Sequence, residues 1–204
     1  MRVGLINGCL GNLGSVISAF EFYKYNIDIA TELESLKDYD VLVLAGVGNF
    51  KTASERLKKH NLWNSLNEEV VKNKKPILGI CLGMQLFADV GYEGGETRGF
   101  GWIKGKVVKI EDNSVRVPHI GWSKVVSDGD TLLFKGIKDE YFYFMHSYYF
   151  LPEDMDTVVA TTRYGHTDIV SCVKKDNIMG VQFHPEKSQS VGLKLIHNFM
   201  TENL

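Results

Sequence analysis

A cysteine lies in the middle of the apolar segment PILGICLGMQL, residues 76 to 86, with a glycine two positions away on each side. Cysteine is often buried, so Cys81 has a simple interpretation as a core residue. The alternative is a nucleophile on a sharp strand-to-helix turn, where Gly79 and Gly83 leave room for close backbone packing. A helix that begins just after Cys81 would stabilise its thiolate. This pattern alone leaves both interpretations open.

A nucleophilic cysteine needs a base, and the segment GVQFHPEKS, residues 180 to 188, contains a histidine followed two residues later by a glutamate. We expect His184 at a strand end, because Pro185 has no N–H for strand pairing. The Glu186 carboxylate is near enough in sequence to bond the imidazole and stabilise its protonated form. An isolated H-P-E segment is more often a surface turn, but together with Cys81 it favours a Cys-His-Glu catalytic triad.

Acyl transfer also needs hydrogen-bond donors for the oxyanion that develops on the substrate. The backbone N–H of Leu82, directly after the nucleophile, is one candidate. The glycine loop AGVGNF, residues 45 to 50, offers further peptide N–H groups, although such a loop is also typical of a plain strand-to-helix turn. Neither this loop nor NGCLGNLG fits a dinucleotide-binding fingerprint.

The elements that must position these residues alternate along the first half of the chain. Buried strands are predicted over 2–6, 40–46 and 76–80, and helical spacing is predicted over 14–25, over 51–75 with a break near Asn61, and over 82–90. This alternation predicts an open, mostly parallel α/β sheet flanked by helices, with the site at the carboxyl ends of its strands.

The second half is rich in aromatic and β-branched residues and predicts an additional antiparallel or mixed β section. Strand-like segments are expected at GFGWIKGKVVKIE (99–111), TLLFKG (131–136), YFYFMHSYYF (141–150) and DTVVATTRYG (156–165). A hairpin is predicted around residues 175–177, and a final amphipathic helix over 190–204.

Composition narrows the class of protein. The chain has 204 residues, 44% of them hydrophobic, and a formal net charge of -2. We therefore expect one domain over 1–204, with no nucleic acid or membrane as partner. We expect no signal peptide. Three widely spaced cysteines, Cys9, Cys81 and Cys172, indicate no disulfide framework and a reducing cytoplasm. No sequence motif indicates a metal site.

These residues together resemble the class I, or triad, glutamine amidotransferases. More narrowly, the chain resembles the family of glutaminase subunits of imidazole glycerol phosphate synthase, over essentially its full length. The segments that carry this resemblance are GNLGS (11–15), GVGNF (46–50), GICLGMQLF (79–87), VPHIGW (117–122), FMHSYYF (144–150) and GVQFHPEKS (180–188). The resemblance implies a flavodoxin-like fold and no cofactor.

The resemblance also implies roles for single residues. Cys81 would attack the side-chain amide of glutamine, His184 would transfer protons, and Glu186 would orient His184. Val47 would join Leu82 in supplying oxyanion N–H groups. The residues implied to bind glutamine are Gly48, Gln85, Ser147 and Tyr148. The resemblance further implies a heterodimer with a (β/α)8 cyclase, which receives the ammonia in histidine biosynthesis. The residues implied to face this partner are Asn12, Trp122, Tyr143 and Lys187.

The chain departs from the family pattern at three places, none of them in the triad. It has Asn7-Gly8-Cys9 where the family usually has aspartate and tyrosine, Ala45 where the family has proline, and Ser123 where the family has asparagine. These differences raise an alternative, a divergent paralogue that supplies ammonia to an N-acetyl sugar amidotransferase in surface-glycan biosynthesis. An alternative of another class is a protease or stress-response protein with a cysteine elbow, which would leave the HPE and HSYY segments without a role.

Overall fold

A computed structural model describes residues 1–6, 13–30, 36–127, 131–138 and 140–203. In chain order its strands and α-helices are β1 (Arg2–Ile6), α1 (Leu13–Glu21), β2 (Asn26–Ala30), β3 (Val41–Gly46), α2 (Phe50–Lys59), α3 (Leu62–Asn67), β4 (Ile77–Cys81), α4 (Leu82–Gln85), β5 (Val90–Gly91), β6 (Thr97–Arg98), β7 (Gly105–Lys109), β8 (His119–Lys124), β9 (Val126–Ser127), β10 (Tyr141–His146), β11 (Tyr148–Pro152), β12 (Val158–Tyr164), β13 (Thr167–Lys175), β14 (Ile178–Val181) and α5 (Gln189–Glu202).

The main sheet has eight strands in the order β2-β1-β3-β4-β14-β13-β12-β9. The pairs from β2 through β14 are parallel, and the pairs from β14 to β9 are antiparallel. The parallel part has the strand order of flavodoxin-like folds. Every residue of β3 and β4 is buried, as expected for central strands that helices or other layers cover on both faces. The predicted open, mostly parallel sheet is therefore confirmed.

The additional β section forms two smaller sheets. Strands β11-β7-β5-β6 make a four-stranded sheet, and β10 pairs with β8 alone. The aromatic segment 141–150, predicted as strand throughout, is thus divided at Ser147 between two sheets. Because β5 and β7 are parallel while the other pairs are antiparallel, the section is mixed, as predicted.

Two predicted turns are present. The helix pair α2 and α3 breaks at Asn61, whose φ of 58° is left-handed. The hairpin between β13 and β14 turns at Asp176, with φ 52°.

Helix α1 is shorter than predicted and ends at Glu21 instead of Tyr25. Lys24 takes a left-handed φ of 61°, and the Tyr25 N–H bonds back to the Phe20 carbonyl.

Two further sequence predictions of element type or length are wrong. The helix expected over 82–90 is one turn, Leu82–Gln85. Beyond it, Asp89 exchanges hydrogen bonds with the backbone of Gly105, which draws the chain into the β5–β7 pairing. The segment 131–136 forms a 3₁₀ turn at Leu132–Phe134, not a strand. The Asn198 side chain of α5 binds the backbone carbonyls of Leu133 and Lys135, so tertiary contacts override the local β propensity.

No helix within the described ranges has the length and apolar character needed to cross a membrane.

Candidate active site

Three neighbouring strands bring the sequence-predicted residues to one edge of the sheet. Gly46 at the end of β3 is in register with Cys81 at the end of β4, and Ile80 is in register with Val181 at the end of β14. His184 follows β14 after two further residues. The loop after β3, the cysteine after β4 and the histidine after β14 therefore meet where parallel α/β sheets bind ligands.

Cys81 occupies a backbone conformation that residues with a side chain rarely adopt. Its φ is 53° and its ψ is -108°, and helix α4 begins at the next residue. Such conformations cost about 1–3 kcal/mol and are found where the surrounding structure fixes them. Cys81 is 5% exposed, so its sulfur sits in a buried turn between β4 and α4.

The glycines on either side of Cys81 are required by close packing. A Cβ on Gly83 would lie 1.7 Å from the backbone oxygen of Leu44, and a Cβ on Gly79 would lie 2.5 Å from the ring of Phe87. Both positions have ordinary φ values for an L-residue, so space is the requirement. The glycines let α4 approach β3 and β4 closely enough to form the sharp turn.

His184 and Glu186 form a buried pair. His184 Nδ1 lies 2.8 Å from Glu186 Oε1, and the two side chains are 2% and 5% exposed. Two hydrogen bonds hold the backbone of His184. Its N–H donates to the Tyr143 carbonyl of β10 at 2.8 Å, and its carbonyl accepts from the Ser188 hydroxyl at 2.6 Å. Ser188 Oγ also accepts from the Tyr143 N–H at 3.0 Å, which ties the His184 turn to β10.

The charge balance around His184 favours its protonated form. Burial opposes that form, but the Cys81 sulfur and the Glu186 carboxylate outweigh it and raise the pKa of His184 to about 10. His184 Nε2 is buried and makes no hydrogen bond of good geometry. The imidazole is therefore oriented by Glu186 at Nδ1 and leaves Nε2 for proton exchange near Cys81.

A cavity of about 120 Å³ opens beside Cys81. Seven of its lining residues are predicted site residues: Val47, Gly48, Cys81, Leu82, Gln85, Ser147 and Tyr148. Three more were not predicted: Glu93, Met145 and His146. We call this space the thiol cavity.

Glu93 brings a carboxylate to the thiol cavity. Its Oε2 accepts a hydrogen bond of 2.8 Å from the Phe50 N–H at the start of α2, and burial raises the pKa of the Glu93 carboxyl. No local sequence motif marks Glu93. It reaches the cavity because the chain after β5 lies against the start of α2, a tertiary contact that spacing along the chain does not reveal.

A second cavity, also of about 120 Å³ and mostly apolar, is lined by both His184 and Glu186. We call it the apolar cavity; its lining residues include Leu13, Val16, Ala45, Ile80, His184 and Lys187. Val47 and Met145 line both cavities. These two side chains therefore stand between the space beside the thiol and the apolar space.

The predicted partner residues lie in different places. Trp122 and Tyr143 are cross-strand neighbours on β8 and β10, with ring centroids 6.1 Å apart, and Trp122 is 46% exposed. Lys187 lines the apolar cavity. Asn12, together with Asn7, Gly8 and Cys9, lies outside the described residues.

Two buried amides connect to the nucleophile. Gln182 Nε2 donates to Cys81 Sγ at 3.6 Å. Gln85 Nε2 donates to Gln182 Oε1 at 3.0 Å and to the Tyr148 carbonyl at 2.7 Å. Gln182 lies inside the segment GVQFHPEKS but had no predicted role; its position two residues before His184 at the end of β14 is the signal that could have identified it.

The site can perform thiol chemistry with proton transfer. It combines a cysteine on a sharp turn, an oriented imidazole, backbone N–H groups at the start of α4 that have no acceptor within the helix, and a cavity with a carboxylate. In the part of the chain that the structure describes, His, Cys, Asp and Glu side chains form no group of three or more that could hold a metal ion.

The fold agrees with the comparisons to known proteins. The sequence profile of the class-I glutamine amidotransferases matches residues 6–203, and the chain belongs to this family of enzymes. It is 46% identical to the imidazole glycerol phosphate synthase subunit HisH of Pelagibacter ubique (strain HTCC1062), over 98% of this chain and 99% of that protein. It is likewise 46% identical to the subunit HisH 1 of Campylobacter jejuni (strain RM1221), over 97% and 98%.

Solved structures share the fold at low sequence identity. A crystal structure of a glutamine amidotransferase superimposes with a TM-score of 0.77 and 17% identity, over 98% of both chains. A glutamine amidotransferase from Thermotoga maritima gives a TM-score of 0.67 and 21% identity, over 99% of this chain and 83% of that one.

Proposed function

We propose that this chain is the glutaminase subunit of an imidazole glycerol phosphate synthase and supplies ammonia for histidine biosynthesis. The proposal is supported by membership of the class-I glutamine amidotransferases and by similarity to HisH subunits along nearly the whole chain. The observation that carries the chemistry is Cys81 on its strained turn, at the same sheet edge as the buried His184–Glu186 pair.

The proposed reaction begins with attack of the Cys81 thiolate on the side-chain amide carbon of glutamine. The oxyanion is stabilised by the backbone N–H of Leu82 and by an N–H of the loop at Val47 and Gly48. His184 gives its proton to the amide nitrogen, and ammonia leaves as the γ-glutamyl thioester forms. Water, deprotonated by His184, then cleaves the thioester to give glutamate and the free thiol. Glu186 keeps His184 in the required orientation throughout.

Glutamine is proposed to bind in the thiol cavity. Its α-ammonium group is assigned to the Glu93 carboxylate, the acidic side chain of that cavity's lining. The polar groups of Gln85, Ser147 and Tyr148 would hold the rest of the substrate, and Gly48, with φ 120° and open space where a Cβ would be, lets the loop backbone turn toward it.

The apolar cavity is the proposed exit for ammonia. Val47 and Met145 separate it from the thiol cavity, and an apolar path disfavours protonation to ammonium, which would no longer be nucleophilic. We propose that the chain forms a heterodimer with a (β/α)8 cyclase subunit. The residues proposed to contact this subunit are Asn12, Trp122, Tyr143 and Lys187.

We further propose that residues 1–204 act as one domain in the cytoplasm. The main sheet contains strands from both halves of the chain, and the cytoplasm is the compartment that keeps thiols such as those of Cys81 and Cys172 reduced.

The first test measures glutamate release from glutamine by the chain alone and with the cyclase subunit of the same organism plus its nucleotide substrate. We expect low activity alone and strong stimulation by the liganded cyclase. Cys81→Ala should abolish both activities, whereas Cys172→Ala, which changes a buried cysteine that lines neither cavity, should retain them.

Two results would redirect the proposal. Hydrolysis that requires Cys81 but is not stimulated by the cyclase would indicate another ammonia acceptor, and a sugar amidotransferase would be tested next. Failure of a glutamine-like diazo-ketone to label Cys81, together with activity on peptides or aldehydes, would reject the glutaminase reaction itself.

A further inference from the structure

A hydrogen-bonded row of side chains lies on the inner face of β8 and β10. Ser123 Oγ is 2.8 Å from His119 Nε2, His119 Nδ1 is 3.2 Å from His146 Nε2, and His146 Nδ1 is 2.9 Å from the Tyr148 carbonyl oxygen. The two histidines are 1% and 7% exposed. Neither histidine has a role in the proposed reaction.

Both histidines are neutral at pH 7. Burial lowers the pKa of His119 to about 4, and burial together with the neighbouring His119 lowers the pKa of His146 to about 3. The rings of Phe144 and Tyr164 stack on His119, with centroids 4.7 and 3.8 Å away, which fixes the plane of its imidazole. A neutral imidazole has one N–H donor and one bare acceptor nitrogen.

The order of donors in the row then follows from its far end. The Tyr148 carbonyl only accepts, so His146 Nδ1 carries the proton and His146 Nε2 is the acceptor. His119 must therefore donate from Nδ1, and its Nε2 accepts from the Ser123 hydroxyl. All three hydrogen bonds point from β8 toward Tyr148, and each tautomer is determined by its neighbour.

The row continues to the nucleophile. The Tyr148 carbonyl that accepts from His146 also accepts from Gln85 Nε2 at 2.7 Å. Gln85 Nε2 in turn donates to Gln182 Oε1, and Gln182 Nε2 donates to Cys81 Sγ. Because Gln182 Oε1 is held by Gln85, the amide of Gln182 is oriented with its N–H toward sulfur. A donated hydrogen bond favours the thiolate over the thiol.

The other end of the row is near the surface. Ser123 is part-buried and lies between Trp122 and Lys124, which are exposed on the outer face of β8. The inner face of β8 thus carries the start of the row, and its outer face carries an exposed aromatic side chain.

We propose that Ser123, His119 and His146 are positioning residues that act on Cys81 through the Tyr148 carbonyl, Gln85 and Gln182. The row orients the Gln182 amide against the sulfur and thereby sustains the thiolate. The inference rests on the proposed role of Cys81 as nucleophile.

The experiment measures the rate at which iodoacetamide alkylates Cys81 in the full chain at pH 7, followed by mass spectrometry of the Cys81 peptide. Gln182→Met removes the N–H donor at similar volume, and we expect alkylation about three- to tenfold slower, the loss typical of one intramolecular hydrogen bond. Ser123→Ala should slow alkylation about two- to threefold, and Ser123→Thr, which keeps the hydroxyl, should restore the rate.

The decisive variant combines Ser123→Ala with Gln182→Met. If the serine acts through the row, Ser123→Ala has no further effect once the Gln182 donor is gone. Ser127→Ala is the matched control, because it removes a part-buried serine hydroxyl that bonds Glu140 at 2.9 Å outside the row, and it should leave the rate unchanged.

Fully multiplicative effects of the two substitutions, or an equal effect of Ser127→Ala, would overturn the proposal, since each is the behaviour of general destabilisation. Alkylation reports on the thiol alone and needs neither glutamine nor a partner. A chain that shows the non-additive pattern but releases no glutamate, with or without the liganded cyclase, would refute the proposed glutaminase reaction and leave the positioning of the Cys81 thiol standing.

Discussion

At the scale of residues, the site brings together a cysteine in a strained backbone conformation and a histidine whose positive charge is stabilised by Cys81 and Glu186. The φ of 53° at Cys81 stores conformational energy in the turn, and the buried Glu186 carboxylate carries no compensating bond at Oε2. Both features cost stability, and both become understandable if the sulfur and the imidazole hold a thiolate–imidazolium pair. The pair would make the thiol reactive at neutral pH.

This pair predicts how His184 titrates. Its raised pKa of about 10 means that the imidazolium persists through pH 8, and that its contribution to folding is fully present below pH 6.5 and is lost as the pH rises toward 10. Glu186→Gln removes the carboxylate charge and should lower the pKa of His184 while slowing glutamine hydrolysis at least about 100-fold, because the imidazole loses its orientation. Nitrogen NMR of the ring across pH 6–10 measures the titration.

His119 and His146 are internal controls in the same spectra. Burial lowers the pKa of both groups, so their rings should stay neutral over this whole range in both proteins. A His184 ring in the original chain that titrates below pH 7, or one that is unaffected by Glu186→Gln, would contradict the ion pair.

At the scale of elements, the connection from β4 to α4 determines where the sulfur lies. The turn exists because two glycines allow the one-turn helix to contact β3 and β4 through backbone atoms. The helix is too short for a long helix dipole to act on Cys81, in contrast to the sequence expectation, so the charge of His184 and the first free N–H groups of α4 remain to stabilise the thiolate.

Gly83→Ala tests this packing. The added Cβ would lie 1.7 Å from the Leu44 oxygen, and backbone atoms at that position have no freedom to move without separating α4 from β3. We expect a loss of about 2 kcal/mol or more in the free energy of unfolding, measured by urea denaturation. Alkylation of Cys81 should also slow, since the turn that holds its conformation is displaced. A stable variant with an unchanged alkylation rate would show that α4 tolerates separation from β3.

The parallel part of the sheet and the placement of Cys81 and His184 at its carboxyl edge could be predicted from the sequence, because each depends on local patterns. Buried runs such as 40–46, which ends in glycine, and 76–80, which Cys81 follows, are typical of central strands, and the carboxyl ends of parallel strands lie at the same edge of a sheet. The end of α4 and the turn at Leu132–Phe134 could not be predicted, because contacts with Gly105 and Asn198 decide them. Glu93 reaches the site through the same kind of long-range contact, whereas Gln182 could have been recognised from its position two residues before His184.

At the scale of the whole molecule, the β8–β10 sheet reaches both cavities through one side chain. Met145 on β10 lines both cavities, and β10 pairs with β8, whose outer face exposes Ile120 and Trp122. Two large apolar side chains, 58% and 46% exposed on neighbouring outward positions, are typical of a surface that a partner covers. A partner bound to this face of β8 would therefore lie one strand away from Met145, which stands between the two cavities.

Trp122→Ala tests whether this face binds the cyclase. Large aromatic residues at the centre of an interface commonly contribute 2 kcal/mol or more, so we expect the Kd for the cyclase subunit to rise at least about tenfold. The concentration of cyclase that gives half-maximal stimulation of glutamate release should rise in parallel, because the partner acts only when bound. Trp122 is nearly half exposed in the chain alone, and its loss should leave the unfolding transition close to that of the original protein.

Met155→Ala is the matched control, because Met155 is 64% exposed in the turn between β11 and β12 and belongs to neither cavity nor the β8–β10 face. It should leave the Kd and the stimulation unchanged. If both variants weaken binding equally, the effect belongs to general surface hydrophobicity and the partner does not dock on β8. If Trp122→Ala alone weakens binding, the partner contacts the outer face of β8. Strand β8 also carries Ser123, so the partner then contacts the element from which the hydrogen-bonded row to Cys81 begins.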